Sequence, residues 1–440
     1  MAQKTADRPG GGKNGLSGTG AALHGLMERL YPICRSITGD GVRQTLEILQ
    51  EHIPVEIREV PSGTRVFDWT VPDEWNVRGA YIRDSAGRKV VDFADSNLHV
   101  VNYSIPVHRK MQLAELKKHL HTLPDHPHWI PYRTAYYNRT WGFCLPHALY
   151  ERLADDTYEV CIDSDLKPGH LSYGELYLPG ETEQEVLVST HLCHPSLAND
   201  NLSGLALATF LARHVQSAGR RYSYRFLFVP ATIGAITWLS LNRDRTDRIS
   251  HGLVVACAGD PGGFTYKKSR RGTAEIDRIV SHVLRHQPTP HRIIDFFPYG
   301  YDERQYCSCG FDLPVGCFMR SPHGEYVQYH TSADDLDFVR PWCLEESFAV
   351  LVSVLEVVEQ NRILLNRYPH CEPQLGKRNL YPREREQHLA ILWVLNLADG
   401  RHSLLDIAER SNLPFHHIAD AAGKLLAGGL LAEQDDLAVS

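Results

Sequence analysis

Ser189-Thr190-His191-Leu192-Cys193-His194-Pro195-Ser196-Leu197-Ala198-Asn199-Asp200-Asn201-Leu202-Ser203-Gly204 is the stretch on which the reading of this chain turns. The apolar run Val186-Leu187-Val188-Ser189 that leads into it reads as a strand, and Gly204 to Val215 behind it reads as a long helix. In open α/β sheets ligands gather beyond the carboxyl ends of strands, so two histidines and an aspartate placed there can converge on one point. Imidazole nitrogen together with carboxylate oxygen suits a borderline metal such as zinc. Helix capping by Asp200 would explain that one residue without a metal.

On either side the chain keeps an α/β texture from 156 to about 360, with further apolar strands at Tyr224 to Val229 and Gly252 to Ala256 separated by helical stretches. A second polar segment, Glu325-Tyr326-Val327-Gln328-Tyr329-His330-Thr331-Ser332-Ala333-Asp334-Asp335-Leu336-Asp337, sets one histidine before a carboxylate-rich turn. There Asp334, Asp335 or Asp337 could fix the His330 tautomer. Apolar spacing between Leu23 and Ile53 predicts two helices with a turn at Cys34-Arg35-Ser36-Ile37-Thr38-Gly39. Short alternating runs between about 56 and 145, such as Val77 to Ile82 and Leu98 to Tyr103, predict a small β-rich module. That module ends in the aromatic segment Tyr136 to Cys144, suited to closing it against its neighbour or lining a pocket.

After Tyr368-Pro369-His370 come three short helical periods and the turn Gly428-Gly429, the layout of a winged helix. Residues 381 to 440 carry five Lys and Arg against nine Asp and Glu, so this module is expected to pack or self-associate rather than bind DNA. The formal charge of -7 over 440 residues likewise argues against nucleic acid as a partner. No run approaches the ~18 apolar residues of a membrane span, and the opening residues lack the apolar core of a signal peptide, so a soluble, cytoplasmic protein is expected. The ten cysteines are scattered without a C-x-x-C pair, which favours free thiols. His282, His286, His291, His416 and His417 read as ordinary surface or helix positions.

Four motifs together carry a family resemblance: Pro32 to Gly39, Cys193-His194-Pro195-Ser196 with Ala198 to Gly204, Asp302-Glu303-Arg304-Gln305-Tyr306, and Tyr329-His330-Thr331-Ser332. Over most of its length the chain resembles the bacterial aminopeptidase-like proteins related to zinc aminopeptidases of the glutamate-carboxypeptidase and transferrin-receptor type. The resemblance implies an α/β fold with a mixed sheet flanked by helices, an inserted small β-rich domain and a C-terminal winged helix. The corresponding boundaries are a disordered tail at 1–20, the aminopeptidase-like domain at 21–55 and 146–368, the insert at 56–145, and the winged helix at 376–440.

It also implies one Zn2+, with Asp200 as the carboxylate ligand, His330 as the last imidazole and Asp260 as the carboxylate closing a later strand. Either His191, by its place after the strand, or His194, in the Cys-His-Pro-Ser signature, supplies the first imidazole. One departure stands out: where the wider family has consecutive glutamates serving as general base and metal ligand, this chain reads Val229-Pro230-Ala231-Thr232-Ile233-Gly234. A proton acceptor is still required for water to attack an amide. Glu303 and Glu325 are the candidate substitutes, and a salt bridge, with Arg304 in the case of Glu303, is the plainer reading of each. The function implied is zinc-dependent amide hydrolysis on a peptide or an aminoacylated small molecule. The alternative is a catalytically silent zinc-binding protein serving assembly or carbohydrate binding.

Overall fold

The computed structural model describes residues 18–433 and opens on the two expected helices, α1 (Thr19–Leu30) and α2 (Asp40–Gln50). Most of the expected N-terminal tail lies outside the described residues. Strand β1 (Glu56–Pro61) is followed by β2 (Glu74–Arg83), β3 (Lys89–Asp92), β4 (Val107–Gln112) and β5 (Thr157–Lys167). The last four form a separate antiparallel sheet in the order β3-β2-β5-β4, whereas β1 pairs antiparallel with β6 (His170–Leu178) of the main sheet. The chain therefore leaves the main sheet after Pro61 and re-enters it at His170.

Five further segments, β7 (Glu185–His191), β8 (Ser223–Val229), β9 (Ile249–Val255), β10 (Phe264–Lys267) and β11 (His291–Ile294), join β12 (Val315–Met319) to complete an eight-stranded mixed sheet. Its order is β1-β6-β8-β7-β9-β12-β10-β11. Every residue of β7 and β8 is buried, because both faces of a central parallel strand are covered by helices. The covering helices include α3 (Gly204–Gln216), α4 (Ile233–Leu241), α5 (Glu275–Arg285) and α6 (Pro341–Gln360). Proline at the first turn of α6 loses nothing there, since that amide has no helical partner.

The C-terminal module is made of β13 (Ile363–Asn366), α7 (Arg385–Leu397), β14 (Asp399–Ser403), α8 (Leu404–Ser411), α9 (Phe415–Ala427) and β15 (Leu431–Glu433), with its strands ordered β14-β13-β15. A capping box starts α8: Ser403 Oγ accepts from Asp406 N at 3.2 Å, and Asp406 Oδ2 accepts from Ser403 N at 2.7 Å. Gly429 turns the chain from α9 into β15 at φ 68°, where a side chain would be strained. This winged helix does not hang free. Its core residues Ile391, Leu405, Ile418 and Leu425 belong to the same apolar cluster as α1, α3 and α6, and Arg278 of α5 bridges to Asp406 and Glu409. All ten cysteines are free. No helix among the described residues is long and apolar enough to cross a membrane.

Candidate metal-binding site

β7 pairs in parallel with β8 on one side and β9 on the other, so its last residue, His191, emerges at the carboxyl edge of the sheet's centre. The chain then loops through 192–197 and turns at 198–203 into α3. Close approach fixes that turn: a Cβ on Gly204 would lie 2.4 Å from the carbonyl oxygen of Val255, so only glycine lets the helix start there. Asn201 bolts the turn to β7 and to the segment just after β9, donating from Nδ2 to Thr190 Oγ1 at 2.8 Å and accepting at Oδ1 from Cys257 N at 3.1 Å.

Asp200 is thereby held fully buried, its Oδ1 2.9 Å from His191 Nε2 and its Oδ2 2.9 Å from His330 Nε2. The His194 ring sits 5.0 Å from that of His191 and 5.2 Å from that of His330. Ligand atoms of His191, His194 and Asp200 all lie within 4.8 Å of one another. Three imidazoles thus surround one carboxylate, and the sequence's choice between His191 and His194 dissolves, since the fold brings both to the same point.

The electrostatics suit cation binding. Burial alone would raise the Asp200 carboxyl, but the facing His194 and the contacts from His191 and His330 outweigh it and hold the group well below the usual carboxylate range. Burial pushes His194 down to about 3, which leaves its imidazole neutral with a lone pair free to coordinate. The backbone carbonyl of His194 accepts from Arg35 Nε at 2.9 Å, and the same buried guanidinium donates to the carbonyl of Leu30 at 2.7 Å. The 32–39 motif therefore acts by positioning the loop that carries His194.

The β-rich excursion supplies a wall. Tyr132 presents an edge-to-face ring to both His194 and His330, at 5.2 and 5.1 Å, and its amide donates to the His330 carbonyl at 2.8 Å. Its hydroxyl lies 3.1 Å from that of Tyr136. The ring of Tyr301 stacks on His191 at 5.1 Å, and its hydroxyl is 2.8 Å from Cys257 Sγ.

Three expected residues are placed elsewhere. Asp260 does not join the converging group: it accepts from Asn199 Nδ2 at 3.0 Å, Gly262 N at 2.8 Å, and Ser321 N and Oγ at 3.1 and 2.6 Å, which fills its oxygens and makes it a brace for the 199–200 turn. Glu303 is buried and paired, but with Lys267 at 2.6 Å rather than Arg304. Glu325 pairs with Arg292 in a half-exposed position, lining a separate cavity with His291 and Ser321. The aspartates after His330 do not contact its ring either. Asp334 instead accepts from the amides of Asn199 and Asp200 at 2.6 and 3.0 Å, and Asp335 from those of Asp337 and Phe338 at 3.0 and 2.9 Å.

Asp302 is the residue that sequence reasoning passed over. It is fully buried and neither carboxylate oxygen has a hydrogen-bond partner. Burial pushes it up to about 7, against an opposing pull from His191. Its only signal in the sequence was membership of the 302–306 motif, where adjacent carboxylates cannot be told apart until their surroundings are known.

Residues 24–361 match the family described as domain of unknown function DUF4910, and residues 362–433 match a winged helix-turn-helix family. A Clostridium acetobutylicum protein, provisionally named for polysaccharide biosynthesis with an aminopeptidase-like domain, is 51% identical over 421 residues, 94% of this chain and 97% of that protein. A crystal structure from Clostridium acetobutylicum, provisionally described as a peptidase, has 50% identity and a TM-score of 0.92 and covers 95% of this chain and 98% of its own. The zinc aminopeptidase of Bacillus subtilis shares the fold at 11% identity and a TM-score of 0.56, over 78% of this chain and 95% of that one.

Proposed function

Because this chain belongs to the DUF4910 family and carries that family domain together with a winged helix-turn-helix, we propose that it is a zinc-dependent hydrolase of amide bonds, aminopeptidase-like, acting on a peptide or an aminoacylated small molecule. The observation that carries this reading is the gathering of His191, His194 and His330 around the buried Asp200. Imidazole nitrogens and an ionised carboxylate are the donors zinc takes, and a neutral His194 needs to lose no proton on binding. His191, His194, Asp200 and His330 would hold the ion, which when bound polarises the scissile carbonyl and acidifies a water. The chain's own groups do the rest. Tyr132 and Tyr301 pack against the imidazoles and hold their rings in place. Arg35 anchors the His194 loop. Asp302, with unpartnered oxygens and an affinity for protons near neutrality, is better suited to accept one than Glu303, which neutralises Lys267, or Glu325, which neutralises Arg292.

Ala231-Thr232, standing after β8 in place of paired glutamates, favours a second reading in which the site binds zinc without turnover and the protein serves assembly or carbohydrate binding. The polysaccharide-biosynthesis name of the Clostridium relative supports the carbohydrate side of it. Winged-helix packing onto α5 and α6 and its acidic balance fit a partner list without nucleic acid.

Zinc content by plasma mass spectrometry, read beside amine release from a panel of aminoacyl anilides, tests the proposal. Chelator-sensitive release, with one equivalent of zinc and all turnover lost in Asp200→Ala and His330→Ala, is the expected result. Full zinc content in both variants would refute the site; normal zinc with no release from any anilide would favour the second reading.

A further inference from the structure

Between β1 and β2 the short strands Arg65–Val66 and Trp69–Thr70 pair as a hairpin whose whole loop is Phe67-Asp68. A positive φ at the first position of such a loop favours glycine, yet a phenylalanine stands there at φ 55°. A bulky residue held in that region strains the backbone, and strain of this kind gathers where a side chain is presented to a ligand. Phe67 is 43% exposed and meets Phe311 edge to face at 5.8 Å, while Trp69, 47% exposed, meets the half-exposed Tyr137 at 5.4 Å. Single exposed aromatics are ordinary on a protein surface; four drawn together from three distant segments are not.

Phe67, Trp69 and Phe311 line a cavity of about 400 Å3, whose apolar lining is completed by Ile236 and Leu239, buried on α4. That volume lies within the roughly 300–1,000 Å3 of small-molecule sites. Asp68, Arg243, Gln305 and Ser308 line it as well, and none of these four side chains has a hydrogen bond or ion pair with another described residue. The donor set selects the occupant. An apolar guest would take all four polar groups out of water and give them nothing in return. One carboxylate against one guanidinium leaves no excess charge to hold a phosphate or another ion. A neutral ring compound, apolar on its C–H face and hydroxylated at its rim, satisfies both kinds of wall. Its C–H bonds lie against the electron-rich faces of the aromatic rings, and its neighbouring hydroxyls meet carboxylate, amide and guanidinium, which between them donate and accept.

We propose that this cleft is a saccharide-binding site, in which Trp69 and Phe67 pack on the C–H face of a sugar ring and Asp68, Arg243 and Gln305 bond its hydroxyls. None of the lining residues belongs to the group around Asp200, so the site stands under either reading of the metal centre. It also gives a task to Gln305, a member of the 302–306 motif that the metal centre leaves unused.

Saturation-transfer NMR on the full-length protein gives the test, with glucose, galactose, mannose, N-acetylglucosamine, cellobiose and lactose as the probes. At least one of these sugars is expected to take up saturation on its ring C–H protons, and to do so equally in chelator-treated protein. Trp69→Ala and Gln305→Ala should each weaken its binding about tenfold, the loss of one aromatic contact or one hydrogen-bonding group, while both variants keep the wild-type Tm and zinc content. No transfer to any of the six sugars, transfer undiminished in Trp69→Ala, or transfer abolished by chelator overturns the proposal. Transfer to the peptide Gly-Trp-Gly with none to the sugars would make the cleft a peptide groove and overturns it too.

Discussion

Replacing Lys267 with methionine isolates the buried ion pair it makes with Glu303. The two charged atoms are 2.6 Å apart, and the side chains are 2% and 1% exposed. The ammonium donates as well to the carbonyls of Phe297 at 3.1 Å and Tyr299 at 2.9 Å, so its three hydrogens are all used. Methionine keeps the length of the stem but leaves the Glu303 carboxylate, whose other oxygen already lacks a partner, with no compensating charge. Stranding one member of such a pair costs about 3–5 kcal/mol. For a domain spanning residues 24–361, ~2.1 cal/mol/K per residue gives an unfolding entropy of roughly 0.7 kcal/mol/K, so the Tm of that domain should fall by roughly 4–7 °C. Glu303→Gln should cost a similar amount by stranding the lysine, and Lys267→Met with Glu303→Gln should recover much of the loss, because no net charge is then buried. Scanning calorimetry of the four proteins closes the double-mutant cycle. Single-variant shifts within ~1 °C that simply add would mean the pair contributes no mutual stabilisation; Glu303 would then stand again as a proton acceptor.

Tyr132→Ala removes the ring packed on two site histidines and should cost about 3–5 kcal/mol with weakened zinc retention. Tyr132→Phe forfeits only the hydroxyl contact with Tyr136, about 1 kcal/mol, and should keep the metal; equal effects of the two on metal content would disprove a packing role. Burial holds the folded-state value of His282 below its ordinary one, so the unfolded chain binds the extra proton first. Stability should therefore be full above pH ~6.5 and fall as pH drops toward about 4, and a wild-type urea midpoint flat across that window would contradict the burial argument. Arg35→Met should shift the His194 loop and reduce zinc affinity while the Asp200 contact to His330 persists, which competition with a chromogenic chelator would measure; unchanged affinity would remove Arg35 from the site's support.

Much of the architecture was legible because it is written in local patterns. A continuous apolar run announced β7, the change of period announced α3, and the polar residues between them had to lie at a strand's carboxyl end. The same reasoning found the winged helix, whose Ser403 and Asp406 cap its second helix three residues apart. His191, Asp200 and His330 were likewise visible as candidates, two within the single segment that joins β7 to α3 and the third through its motif.

Which elements form, and which polar residues stand at their ends, follows from interactions among near neighbours: helix and strand periods, caps and turns. Which charges meet depends instead on how distant segments pack. Asp260 became a brace because Ser321 arrives from another strand's end, and Glu303 chose Lys267, 36 residues away, over the adjacent Arg304. His282, His286 and His416, ordinary as sequence, came to share one cavity. Partner choice among buried polar groups follows from desolvation, which must be offset by whichever donor or acceptor the packed core brings within reach, and that depends on segments far apart in the chain.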